Sequence, residues 1–187
     1  RKILIADGEI AFTGGMNIGD RHLTQQVTNR ARVIDMHFRL KGPVVMQVEQ
    51  AFLEDWAFCT GEISAPRPSI PVPSGPAICR AVTDGPNEDI NKLATIILGA
   101  ISSSREQVLI MTPYFLPSLE MISALQSASL RGIDVKIVLP AKNNLPFIQW
   151  ATNNMLRELL YWGVRVYYQP PPFVHTKLFV VDQQYAQ

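Results

Sequence analysis

The feature that most limits what this chain can fold into is a repeat of itself. Displacing its first residues by 175 positions carries Lys2 onto Lys177, Asp7 onto Asp182 and Ala11 onto Ala186. The same shift carries Ile3, Leu4 and Ile5 onto Leu178, Phe179 and Val180. Each copy therefore reads lysine, four residues, aspartate, with an apolar bridge between. Self-similarity at a fixed distance points to a duplicated structural unit. Only the later copy shows His175-Thr176 ahead of its lysine, and the counterpart of His175 falls one position before Arg1. Only the earlier copy shows the sequel Gly14-Gly15-Met16-Asn17, whose counterparts fall beyond Gln187. The sequence reads as a piece running from just inside one motif to just inside the other.

Between the copies, strand and helix signals alternate in the α/β manner. Arg32 to Leu40 reads as one strand. Gly42-Pro43 then opens a helix in which Val45, Val48, Phe52 and Trp56 recur at three- and four-residue steps as a buried stripe. Five prolines between Pro66 and Pro76 fit neither ladder nor helix and mark a linker. Further on, the pattern predicts a strand over 78–83, a helix from an Asn87 cap to Ser104, and a strand over 108–112. A helix from Ser118 to Arg131, stopped by Gly132, comes next, then a strand over 134–139 and a helix over 147–162. Strands over 164–169 and 174–182 complete the chain. The expected fold is α/β, a mixed, mostly parallel sheet flanked by helices. Its expected parts are residues 1–65, closing a first repeat, the linker 66–76, and residues 77–187, most of a second repeat.

With 47% hydrophobic and 18% charged residues, the chain has the material for a packed core. Its 17 Lys and Arg against 16 Asp and Glu leave a net charge of +1. That offers no obvious track for a nucleic-acid backbone, so nucleic acid is not the expected partner. The longest apolar run, from Ala94 to Ile101, is far shorter than the ~20 residues that span a bilayer. Cys59 and Cys79 read as small core residues in a reducing compartment. His22 and His37 lack a partner pattern and read as structural or surface residues. No metal-ligand spacing appears among the His and Cys positions, and no metal is expected. Phe147, Ile148, Trp150, Trp162 and Phe173 read as core at helical spacing, with a lipid-facing role as the sharper alternative.

Residues two apart on a strand point the same way, so His175 and Lys177 should project together. Asp182, seven residues from the histidine, suits a bracing role better than substrate contact, and Asp7 follows it. An imidazole beside an ammonium group, occurring twice, suits phosphoryl transfer through a covalent intermediate. One neutral imidazole attacks phosphorus and a second, cationic one protonates the leaving alkoxide. Lys2 and Lys177 can neutralise the non-bridging oxygens, and Asn17 can donate an amide N–H to them. Gly14 and Gly15 allow the sharp turn that brings Asn17 to the pocket. The whole scheme expects both copies to meet at one phosphorus atom. Tyr114 and Phe115 follow an apolar strand and flank the expected pocket.

These residues carry a family resemblance. His175-x-Lys177 with Asp182, together with Lys2, Asp7 and Gly14-Gly15-x-Asn17, resembles the paired motif of the phospholipase D superfamily. Thr112-Pro113-Tyr114-Phe115-Leu116-Pro117 and Arg131-Gly132-Ile133-Asp134-Val135 are similar to its bacterial cardiolipin synthase branch. The resemblance implies a phosphatidyltransferase that passes a phosphatidyl group between phosphatidylglycerol molecules through a phosphohistidine, without cofactor. It implies that the motif His, Lys and Asn positions are catalytic, and that Asp35 orients an imidazole. It also implies peripheral contact of the parent protein with the cytoplasmic face of a bacterial membrane, while the piece given is expected to be inactive or weak by itself. A phospholipase D hydrolysing phospholipid, a phosphodiesterase or nuclease, and a non-catalytic interaction module are the competing readings.

Overall fold

A computed structural model describes residues 2–25, 28–29, 31–66, 72–85 and 91–187. The chain divides into two compact units, one of residues 1–17 and 36–92, the other of residues 18–35 and 93–187.

The first unit is an antiparallel sheet under one helix. Strands β1 (Ile3–Ala6) and β2 (Ile10–Gly14) form a hairpin, and β4 (His37–Lys41) pairs with β2 in the order β1-β2-β4. Helix α1 (Val44–Thr60) follows Gly42-Pro43 and stops at Gly61, whose φ of 75° suits a residue without Cβ. Val45 and Val48 of α1 meet Ala11 of β2 in a small core, with Ile3, Ile5, Leu40 and Ala81 packed against it. The expected apolar stripe of α1 is only half present. Val44, Val45, Val48 and Ala51 are buried, whereas Phe52 and Trp56 are exposed and stack on each other at 6.2 Å. No strand forms over 78–83, because the Ala81 N–H donates to the Gln47 side chain at 2.9 Å instead of to a ladder. Cys59 and Cys79 are exposed thiols, which corrects their reading as core residues.

The second unit is built on a five-stranded sheet of order β10-β9-β5-β6-β7. Strands β5 (Gln107–Met111), β6 (Asp134–Pro140) and β7 (Arg165–Gln169) run parallel, joined through α3 (Leu119–Leu130) and α4 (Pro146–Tyr161). Strand β9 (Leu178–Val181) lies antiparallel on β5, and β10 (Tyr185–Ala186) antiparallel on β9. Helix α2 (Lys92–Ser103) precedes β5. The proposed Asn87 cap and most of the proline segment, 67–71, lie outside the described residues. Val135, Ile137 and Leu139 of β6 alternate into a core with Leu125 of α3, Leu156 and Leu159 of α4, and Ile101 of α2. Ser118 caps α3 by accepting the Met121 N–H at 3.3 Å. Arg131, at the other end of α3, donates to the carbonyls of Ser102 and Ile101, satisfying acceptors left over at the end of α2. The large aromatics of α4 do not join this core: Phe147 and Trp150 are 60% and 73% exposed, and Trp162 is exposed beyond the helix end.

The repeat read from the sequence is a repeat of structure. Ala6 pairs with Ile10 and Ile5 with Ala11 in one hairpin; Val181 pairs with Tyr185 and Val180 with Ala186 in the other. Every one of these positions is displaced by the same 175. Both turns use two consecutive left-handed residues, Asp7-Gly8 at φ 56° and 71° and Asp182-Gln183 at φ 53° and 55°. Glu9 N–H donates to the Ala6 carbonyl and Gln184 N–H to the Val181 carbonyl, each at 3.0 Å, closing the two turns identically.

Two strands expected to be continuous are broken, and both breaks fall at site residues. The stretch expected as one strand over 32–40 is instead β3 (Val33–Ile34) and β4, parted at Asp35-Met36. The last stretch is β8 (Phe173–Val174) and β9, parted at 175–177.

Candidate active site

Strands β3 and β8 form a two-residue parallel ladder within the second unit, pairing Val33 with Phe173 and Ile34 with Val174. The His175 N–H extends it by donating to the Ile34 carbonyl at 2.8 Å. The next residue on each side is then Asp35 and His175, which the ladder sets next to one another. His175 Nδ1 lies 2.9 Å from Asp35 Oδ2. The Asp35 side chain is 1% exposed and the His175 ring 23%. A carboxylate only accepts, so this contact favours the imidazole tautomer with its proton on Nδ1 and its lone pair on Nε2.

Thr176 is buried at 2%, while His175 and Lys177 on either side reach outward. The Lys177 ammonium lies 2.6 Å from Nε2 and 2.8 Å from Nδ1, and also donates to the His175 carbonyl at 2.8 Å. The two side chains do project together, although the backbone between them belongs to no ladder. Two aromatic rings border the imidazole: Tyr114 forms a T-shaped pair with it, centroids 5.7 Å apart, and Phe173 lies tilted with centroids 6.1 Å apart. Tyr114 belongs to the loop after β5, at the carboxyl edge of the parallel strands, where α/β folds gather ligands.

Asp182 faces away from this cluster. Its carboxylate accepts the backbone N–H groups of Gln107, Glu106 and Arg105 at 2.8 to 2.9 Å. Those three donors hold its pKa below the ordinary aspartate range. The Asp182 N–H completes the joint by donating to the Gln107 carbonyl. Asp182 thereby ties the turn after β9 to the start of β5 and fixes the register of the strand that follows Lys177.

Lys2, Asp7, Gly14, Gly15 and Asn17 belong to the first unit. Lys2 and Asn17 are exposed. At Gly14, φ is 151° and a Cβ would stand 2.4 Å from the Met36 carbonyl oxygen and 2.7 Å from His37 Cα, so a side chain has no room. The Gly15 N–H donates to the same Met36 oxygen at 2.9 Å. This pair of glycines releases the chain from the end of β2 toward Asn17.

Two contributors escaped the sequence reading. Asn144, in the loop after β6, accepts the Tyr114 hydroxyl at 3.1 Å. Phe173 flanks the ring it had been expected to leave for the core. Their one sequence signal was position, Asn144 lying in the loop after a predicted strand and Phe173 just ahead of another. Among the described residues no group of three or more His, Cys, Asp or Glu is placed to hold a metal ion.

A family model described as cardiolipin synthase, PLD-like domain, matches residues 97–187. Cardiolipin synthase A of Serratia proteamaculans is 34% identical over 98% of this chain and 39% of its own length. Cardiolipin synthase of Clostridium perfringens is 34% identical over 97% of this chain and 40% of its own. The chain thus spans about two fifths of the length of these relatives. The crystal structure of Nuc, a phospholipase D family member from Salmonella typhimurium, overlays 48% of this chain and 57% of its own at 27% identity, with a TM-score of 0.41. The later part of the chain thus matches a phospholipase D-like domain model, and nearly the whole chain is similar to bacterial cardiolipin synthases.

Proposed function

We propose that this chain supplies active-site residues of a phosphatidyltransferase of the cardiolipin synthase type. In that reaction a phosphatidyl group passes from one phosphatidylglycerol to another through a phosphohistidine. The observation that carries the reading is the His175–Asp35 pair with the Lys177 ammonium at the ring, in a chain similar to cardiolipin synthases over nearly its whole length.

The chemistry follows from the groups. One motif imidazole attacks phosphorus through a ring nitrogen, and the phosphorus–oxygen bond to glycerol breaks. The departing alkoxide takes a proton from the other imidazole, released as glycerol. A hydroxyl of the second phosphatidylglycerol gives its proton back to that imidazole and forms the new phosphorus–oxygen bond as the phosphorus–nitrogen bond breaks. His175 is one of the two imidazoles. Asp35 holds the proton on Nδ1 and so keeps Nε2 aimed outward for either task. Lys177 neutralises charge gathering on the phosphate oxygens, and the repeat gives Lys2 and Asn17 the corresponding role in the other copy. Asp7 and Asp182, with Gly14 and Gly15, shape the backbone that presents these groups. The substrate class is anionic phospholipid, met at the cytoplasmic face of a bacterial membrane.

The test supplies phosphatidylglycerol vesicles to a polypeptide in which both motif copies are complete. Cardiolipin and free glycerol in equal amounts are expected, and phosphatidic acid alone would assign a hydrolase instead. Turnover is expected to persist in chelator; loss that a metal ion restores would count against the two-imidazole scheme. His175→Ala is expected to abolish turnover, and an unchanged rate would leave the motif a packing role.

A further inference from the structure

Tyr114 is held in place far more firmly than a loop residue needs to be. Its N–H donates to Thr112 Oγ1 at 3.3 Å. The carbonyl of Pro113 before it accepts Asn143 Nδ2 at 2.6 Å, and the carbonyl of Phe115 after it accepts the buried Thr152 hydroxyl at 2.8 Å. Pro113 and Phe115 are themselves buried. The ring is fixed at its far end as well, where the hydroxyl donates to Asn144 Oδ1. What this framework presents is an aromatic ring in a T-shaped pair with the His175 ring, their centroids 5.7 Å apart, and with the Lys177 ammonium 5.7 Å from its own centre. Both separations fall within the ranges over which aromatic pairs and cation–π contacts attract.

We propose that Tyr114 is a positioning residue for the His175–Lys177 pair, with Asn144 as the anchor that locks its ring. The ring closes one side of the imidazole, so that the Nδ1 proton stays on Asp35 and Nε2 faces the reacting phosphorus. It also offers the ammonium a second resting place when phosphate oxygens draw it from the imidazole. The consequence for catalysis rests on the reaction proposed above; the consequence for the imidazole does not.

Two-bond proton–nitrogen correlations of the His175 ring in the full chain, recorded at mildly alkaline pH, report the tautomer without any substrate. The wild type is expected to show one tautomer with its proton on Nδ1. Tyr114→Leu, which removes the ring, is expected to mix the tautomers, whereas Tyr114→Phe and Asn144→Ala keep one tautomer. In the complete enzyme, Tyr114→Leu is expected to lower kcat about 10- to 100-fold with KM within about threefold, as for misplacement of a reacting group. Tyr114→Phe should cost about two- to fivefold, and adding Asn144→Ala to it nothing more, because both remove one hydrogen bond. An unchanged tautomer and unchanged kcat in a folded Tyr114→Leu variant would overturn the proposal. A mixed tautomer in that variant, with no turnover of phosphatidylglycerol by the wild type, would support the positioning role and defeat the reaction reading alone.

Discussion

The Asp35 carboxylate is screened and lies 2.9 Å from a nitrogen of the His175 ring, which suits it to the orienting task proposed above. Asn in its place keeps the shape but offers an amide that can donate, which permits the other tautomer. Asp35→Asn is expected to lower kcat by about 10²- to 10⁴-fold with KM little changed, measured in the vesicle assay. Asp182 acts through the backbone instead. Its three N–H donors depress its pKa, so the ionised form is the one the fold favours. That contribution is complete above the ordinary aspartate range and is lost as pH falls through the depressed value. Asp182→Asn is therefore expected to unfold at lower denaturant concentration than wild type near neutrality. The gap should narrow in acid, as followed by denaturation at a series of pH values.

At the level of elements, the two hairpins differ at one position that matters. The left-handed site after the aspartate holds Gly8 in the first and Gln183 in the second. A side chain in that region costs about 1 kcal/mol that glycine avoids. Gln183→Gly is expected to stabilise the second unit by about 0.5–1 kcal/mol, read as a shift in urea midpoint without a change in slope. Gly14 is the reverse case. A methyl group there meets backbone atoms of Met36 and His37, which cannot rotate away. Gly14→Ala is expected to destabilise the first unit by about 2 kcal/mol or more, and hydrogen exchange should quicken first along β2 and β4. The short β3–β8 ladder carries the other lesson of this scale. Propensity over 32–40 and 174–182 supports long strands, yet the chain leaves each ladder after two residues, and the residues just past the ends are Asp35 and His175.

For the whole molecule, duplication predicts matched effects at matched positions. With a charge-neutralising lysine in each copy, Lys2→Ala and Lys177→Ala are each expected to lower kcat/KM by about 100-fold in the complete enzyme. A full rate with Lys2→Ala would separate the copies. Helices and parallel strands of the second unit were legible in the sequence because amphipathic spacing, the Ser118 cap and the stop at Gly132 are local signals. The duplicated Lys-to-Asp spacing was legible too, and it determined the matching hairpins down to their register, since a two-faced strand and a left-handed turn admit one alignment. What local signals could not carry was where strands stop for want of a partner. The breaks at Asp35-Met36 and over 175–177, the exposed Phe52, Trp56, Phe147 and Trp150, and the meeting of Asp35 with His175 were decided by the tertiary structure. Burial and pairing depend on which distant segments arrive, and 140 residues of chain separate that aspartate from its histidine.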